Sequence, residues 1–310
     1  MVKKVIGITL VCLCIFFSQA EAAWARTYYL GILPLRKPSE MLKRFDAVEK
    51  HLQEETGLDI RLRLYPTTGY TGGYTAIVRD ISTGKIDFAW LASVTCVQAH
   101  ETGPVVPFAC AQKSGAPAYH GHLAVRVDAP FQSLEDLKGK KVCGTSASST
   151  SGNLMPSAWL KNQNIDKFTY FGTFEYLGRH DNAAQSVISK QFDGCFINEA
   201  TFDSFNTEGA KLRSLWRHTA VPEFPFCVNT EKVDEATLKK VKDAVLNMHE
   251  KDMEGMLKVA RKYDKWVSVT WEDYIGIKKV IDTVYGPEFY DLDHWQSMAD
   301  KKKKEKKGNK

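Results

Sequence analysis

The chain has 310 residues, 44% of them hydrophobic and 25% charged, which is the balance of an ordinary globular protein. Its net charge of +5 is misleading as a guide to partners, because residues 301–310 alone hold seven lysines against one glutamate. The remainder is close to neutral and offers no basic field for nucleic acid, and its length, about 285 residues beyond the N-terminal segment, predicts two lobes rather than one core.

The N-terminus reads as a secretory signal peptide. Lys3 and Lys4 precede an apolar run from Val5 to Phe17, too short to span a bilayer, and Ala-x-Ala sites follow, so cleavage is expected after Ala22 or Ala25. Cys12 and Cys14 lack the small residue before them that a lipid-anchoring signal needs. The sequence therefore predicts a signal peptide over 1–25 and a soluble, monomeric protein exported to the periplasm.

In chain order, Tyr28 to Leu33 predicts a buried strand. A helix follows Pro38, with Leu42, Phe45, Val48 and Leu52 spaced for one face. Ile60, Leu62 and Leu64 alternate with arginines as a strand with one polar face. A turn over Thr67 to Gly73 opens a helix that ends near Gly84, and strands are expected over Ile86–Leu91 and Val105–Ala111. A second series begins at Leu123. Ser133 with Asp136 resembles a capping box, Lys141–Gly144 reads as a strand, and a Ser/Thr-rich loop opens a helix near Gly152. Further strands are expected near Phe168, over Asp193–Ile197 and over Leu212–Trp216, with a helix over His180–Lys190. Beyond Pro225 the pattern is mainly helical: Asp234–Met248, Met253–Lys262 and Trp271–Val284.

This alternation predicts an α/β fold. Residues 26–120 and 222–300 form one discontinuous lobe and 121–221 the other, with two hinge crossovers near Tyr119–Leu123 and Arg217–Pro225. The tail over 301–310 has no apolar residue to bury and is expected to be disordered and solvated. Cys96, Cys110, Cys143, Cys195 and Cys227 sit in or beside apolar stretches, mostly strand-like, and are read as small buried hydrophobes, although one or two disulfides are open to them in an oxidising compartment.

The most informative stretch is Ser146-Ala147-Ser148-Ser149-Thr150-Ser151-Gly152-Asn153, placed after a strand and before a helix. Hydroxyls and free backbone amides at the positive end of a helix dipole cradle a tetrahedral oxyanion without needing a lysine. A plain Ser/Thr cap is the alternative reading of the same residues.

Here the chain resembles the periplasmic phosphonate-binding family of ABC transporters, which includes phosphite and phosphate binders. The likeness is carried by Ser149 to Leu154 with Pro156, Gly73-Tyr74, Thr83 to Leu91, Tyr119-His120 before Leu123 to Arg126, Ser133 to Lys140, Gly178 to Asp181, and Asp193 to Asn198, in the family's order over most of residues 29–250. It implies the type II periplasmic-binding fold, two α/β lobes that close on ligand, and an ABC permease as partner. It implies no cofactor. Carried over, Ser149, Thr150, Ser151 and Gly152 would hold the phosphoryl oxygens. His180 would donate to them in a pH-sensitive way, Tyr74 and Tyr119 would offer phenol hydroxyls, Ser93 another hydroxyl, and Asn198 a contact across the cleft.

Two departures bear on the ligand. The family often has aspartate where this chain has Gly73, and again before the hinge proline, where it reads Pro222-Glu223-Phe224-Pro225. A ligand without an ammonium group is therefore expected, unless Glu199 or Glu223 replaces the missing charge. His120-Gly121-His122 places two imidazoles on one side of a strand, but no third ligand is evident, so no metal site is expected. A subunit that signals to a membrane sensor kinase and a phosphate-ester-acting enzyme are the competing functions; no nucleophile elbow, P-loop or HExxH motif supports the enzyme.

Overall fold

The computed structural model describes residues 26–33, 35–65, 73–259, 262–294 and 297. The predicted signal peptide, most of the expected Thr67–Gly73 turn and the lysine-rich tail lie outside the described residues. The chain opens with β1 (Thr27–Ile32), α1 (Pro38–Thr56), β2 (Asp59–Leu64), α2 (Tyr74–Ser82), β3 (Phe88–Trp90), α3 (Ser93–Thr102) and β4 (Val105–Lys113). β2, β1 and β3 pair in parallel, as the helical crossovers between them require. α1 starts on Pro38 and stops at Gly57, whose φ of 69° lets its N–H turn back to the Gln53 carbonyl. Its buried stripe is Met41, Phe45, Val48 and Leu52. Leu42, expected on that stripe, is 45% exposed, because one residue is about 100° of turn and Met41 occupies the inward position.

A short strand, β5 (Ala118–Tyr119), leads to β6 (Gly121–Arg126) and a second sheet. There β7 (Lys141–Gly144), α4 (Met155–Lys161), α5 (Lys167–Tyr170), β8 (Thr173–Tyr176), α6 (His180–Ile188), β9 (Gly194–Asn198), α7 (Glu199–Phe205) and β10 (Leu212–Arg217) follow. The strand order is β10-β6-β9-β7-β8. Leu123, Val125 and Phe196 pack on one face of this sheet, and Ala124, Cys195 and Ile197 on the other, so both faces are buried. Phe168 is a correction to the expected strand. It lies on α5, a single helical turn capped by Asp166, and is 52% exposed; the strand comes later, at β8.

The chain returns through β11 (Val221–Pro222), which pairs antiparallel with β5. β12 (Pro225–Asn229) then inserts between β3 and β4. After α8 (Glu235–Lys251) and α9 (Met253–Val259), β13 (Tyr263–Ser268) adds an edge to β4, and α10 (Ile275–Val284) follows a tight turn over Trp271–Tyr274. The C-terminal part is thus less helical than its pattern predicts. β12 is buried on both faces and shows no alternation, while β13 carries an irregularity between Tyr263 and Lys265 that breaks its period. The first sheet has the order β13-β4-β12-β3-β1-β2.

The β5–β11 ribbon carries the two crossovers between the sheets. Across the seam, Ala147 and Leu154 from the second sheet's side pack into the apolar core of the first. All five described cysteines are buried free thiols, consistent with their reading as small hydrophobes.

Candidate ligand site at the seam

β7 ends at Gly144, and the Ser/Thr segment then enters one wide turn, Thr150–Leu154, before α4. The turn is closed by the Leu154 N–H on the Ser149 carbonyl five residues back, at 2.8 Å. Such widened turns recur at functional sites. Ser149 caps it by accepting from the Gly152 N–H at 3.1 Å. A side chain at position 152 would collide with the Thr145 hydroxyl, so glycine is required for the loop to fold back on itself. Among the described residues, the amides of Thr150 and Ser151 have no acceptor.

α3, from the first sheet, begins opposite this turn. Ala92 gives it no side-chain cap, and the Val94 N–H donates to Thr150 Oγ1 at 3.0 Å. Two helical starts from different sheets therefore meet head to head. Both present positive dipole ends and unsatisfied amides, an arrangement that an anion between them would relieve.

The structure brings most of the sequence-predicted residues together. The Tyr74 hydroxyl faces Ser149, and burial pushes its pKa up to about 12. The Tyr119 hydroxyl lies buried towards Thr150 and Ser93 without a hydrogen-bond partner; burial first, and then the Glu223 carboxyl, raise its pKa. Both phenols are thus held as neutral donors. Ser93 Oγ donates to the Pro222 carbonyl at 2.6 Å, so its hydroxyl proton is spent at the hinge and only its backbone start remains for a ligand. Ser151 sits beside Gly121, where a Cβ would lie 2.5 Å from Ser151 Cβ and 2.7 Å from His218 Nε2. Gly121 in turn pairs with Asn198, whose N–H donates to His180 Nδ1 at 3.0 Å. Asn198 Oδ1 accepts from the Thr201 N–H at 2.9 Å and caps α7, leaving only its side-chain NH2 to reach outward.

That bond to Nδ1 places the proton of neutral His180 on Nε2. Burial, helped by the Arg36 guanidinium, pushes its pKa down to about 3. The imidazole stays neutral across the physiological range, which corrects the expectation of a pH-sensitive contact.

Several neighbours carry no signal in the sequence. Thr145 Oγ1, Ser148 Oγ, His218 Nε2 and Trp90 Nε1 are buried without a partner. His218 Nδ1 meets the Thr219 carbonyl at 2.6 Å, which leaves Nε2 as a bare acceptor beside Gly121. Buried polar atoms of this kind are ordinarily met by water or a ligand; the Thr145 and Ser148 hydroxyls and the Trp90 N–H can donate to one, whereas His218 Nε2 can only accept. A cleft of about 640 Å³ opens at the seam, lined by Tyr119 and Asn198 together with Trp90, Glu199, Glu223 and Phe224; the 145–154 segment is buried and does not line it. Phe224 stacks on Trp90 with ring centroids 4.9 Å apart. Glu199 is neutralised by Lys113 at 2.5 Å and Arg217 at 3.1 Å. Glu223 has no cation within salt-bridge distance among the described residues, and burial pushes its carboxyl up to about 7.

A family model for the periplasmic substrate-binding protein of ABC phosphonate transporters matches residues 30–274. The chain belongs to this family. A phosphate-import protein of Mycolicibacterium smegmatis is 24% identical over 288 residues, covering 86% of this chain and 88% of its own. Two solved structures share the fold. A Prochlorococcus marinus protein solved in complex with methylphosphonate has a TM-score of 0.74 at 19% identity, covering 84% of this chain and 99% of that one. A binding component of a phosphonate transporter from Pseudomonas aeruginosa has a TM-score of 0.73 at 19% identity, covering 91% and 99%.

As a member of the phosphonate-binding family, the protein has the type II periplasmic-binding fold, and its relatives serve transport. His120 Nδ1 meets the His218 carbonyl at 2.8 Å and His122 Nδ1 meets Ser214 Oγ at 2.9 Å, while His122 Nε2 is buried without a partner. Among the described residues no three metal-ligating side chains cluster.

Proposed function

We propose that this protein captures a small phosphorus oxyanion, a phosphonate, phosphite or phosphate, at the meeting point of α3 and the 149–154 turn, and presents it to an ABC permease. The observation that carries the reading is the Val94 N–H on Thr150 Oγ1, which joins the uncapped start of α3 to the Ser149-capped turn of the other sheet beside free amides and buried phenols. The hydroxyls of Ser149, Thr150 and Ser151 with the amides of Thr150 and Ser151 are the phosphoryl cradle, Tyr74, Tyr119 and neutral His180 donate from the sides, and Asn198 reaches from β9. Residues 26–120 with 222–300 and residues 121–221 act as lobes that close about the β5–β11 ribbon. Ligand contacts from both sides favour the closed arrangement, which is how binding shifts such an equilibrium. Residues 1–25 act as a cleaved signal peptide, and the protein works as a monomer in the periplasm.

The ligand carries no ammonium group in this reading. Glu199 is already paired, and Glu223 is only part-ionised at neutral pH, so neither supplies the full counter-charge an aminophosphonate requires. A thermal-shift panel of phosphate, phosphite, methylphosphonate, aminoethylphosphonate, sulfate and taurine on dialysed protein tests both statements. A true ligand at a hundred times its Kd stabilises by about 2.7 kcal/mol. No shift with any phosphorus oxyanion overturns the site, and tighter binding of aminoethylphosphonate than of phosphite overturns the ammonium argument.

A further inference from the structure

Behind the Ser/Thr turn, Lys167 is buried at 8% exposure, yet among the described residues no carboxylate lies within salt-bridge distance of it. Its ammonium donates to Asn153 Oδ1 and, at 2.7 Å, to Ser157 Oγ. The rings of Phe168, Phe174 and Tyr176 surround it at 5.3, 5.1 and 5.5 Å. Asn153 is itself 1% exposed and fully engaged. Its Oδ1 also accepts from the Tyr176 hydroxyl at 2.6 Å, and its amide gives one proton to the Ala147 carbonyl at 2.6 Å and the other to the Tyr285 hydroxyl, across the seam. Lys167, with Tyr176 and Ser157, thus fixes the orientation of Asn153, whose side chain ties the two ends of the loop together and ties the loop to the first sheet.

Fixing Asn153 does not require a charge. A neutral donor such as glutamine would satisfy Oδ1 without the several kcal/mol that desolvating an ammonium costs. The aromatic cage repays part of that cost but provides no counter-ion. We propose that Lys167 is a positioning residue for the anion loop, whose unpaired charge, one side chain removed from the Ser149–Ser151 cradle, is balanced by the bound oxyanion. This rests on the reading of that loop as the anion site. Burial pulls the ammonium pKa down to about 7, opposed by the Asp166 carboxylate next to it. Asp166 and the Tyr176 phenol are the titratable groups that face it; α4 presents only Asn153 and Ser157. Bound anion should therefore raise this pKa and draw a proton onto Lys167.

The test uses the mature protein with methylphosphonate and phosphite. Calorimetry should find Lys167→Met and Lys167→Gln at least about tenfold weaker than wild type, the glutamine variant losing affinity although it keeps a donor for Asn153. Independently of either variant, the lysine 13Cε resonance of wild-type Lys167 should titrate at higher pH when methylphosphonate is added, a change that a purely structural lysine would not show. Unchanged titration, or wild-type affinity in Lys167→Gln, overturns the role of Lys167 alone. Failure of the wild-type protein to bind either probe overturns the anion site and this proposal with it.

Discussion

Along one edge of the seam between the sheets, α7 presents formal charge, and along the other, the 145–154 segment presents none. At α7, Glu199 meets Lys113 at 2.5 Å, Asp203 meets Lys262 at 2.6 Å, and Arg36 reaches Ser204 Oγ at 3.1 Å. Every acidic group there already has its cation, so the edge is self-neutralised. The 145–154 segment is built of hydroxyls, amides and glycine, yet it holds unsatisfied donors and an unpaired lysine behind it. The comparison teaches that hydrogen-bonding capacity left free differs from formal charge already spent. In the proposed function, the charged edge acts as a clasp and the neutral edge as the receptor.

The difference can be broken by substitution, beginning where the effect is largest. Thr150→Val with Ser151→Ala removes two hydroxyls from the receptor edge while keeping the turn. Charge-assisted hydrogen bonds contribute about 1.5–3 kcal/mol each, so methylphosphonate affinity measured by calorimetry should fall about a hundredfold or more. Glu223 gives the next effect, on stability. Burial lifts its carboxyl from 4.5 to about 7, so between those values the folded protein holds the proton that the unfolded chain has lost. Stability should therefore fall as pH rises through this window, by on the order of 3 kcal/mol in all, and be steady above it. Thermal melts of Glu223→Gln against pH should lack that slope.

On the clasp edge, Lys113→Ala breaks contacts with Glu199 and Asp203 that span the two sheets. Such partly exposed pairs contribute about 1 kcal/mol or less, so ligand affinity should drop only a few-fold, and the difference from wild type should shrink in high salt. The smallest effect concerns His180. Because its imidazole stays neutral down to about 3, His180→Gln, which can still donate from its side chain, should leave the pH profile of binding unchanged. A profile that flattens in this variant would show that the histidine titrates in the working range after all.

Much of the second sheet was readable in advance. A strand begins at Lys141 as expected and runs to Gly144, and helix α6 begins at His180 as expected. Hydroxyls clustered between strand and helix left two readings open, an anion cradle and a plain cap, and Ser149 does cap the turn. β12 and β13 were not legible. A five-residue strand buried on both faces has no period, and an edge strand with a bulge has a broken one. α7 was missed because its seven residues follow a strand without a turn signal of Gly or Pro, the cap being Asn198 itself. Lys167 gave no sign at all, since one lysine in a polar stretch reads as solvated.

The amino-acid sequence by itself determined the α/β alternation, the family, and the identity of the loop that holds free amides, because each depends on local spacing along the chain. Only the tertiary structure decided which polar groups remain unpaired. Whether the Ser93 hydroxyl is spent on Pro222, whether Glu199 is neutralised by Lys113, and whether Lys167 is left without a counter-ion depend on partners 129, 86 and, for Asn153, 14 residues away. Hydrogen-bond and charge balance in a buried seam is a sum over distant neighbours, and local sequence does not contain that sum.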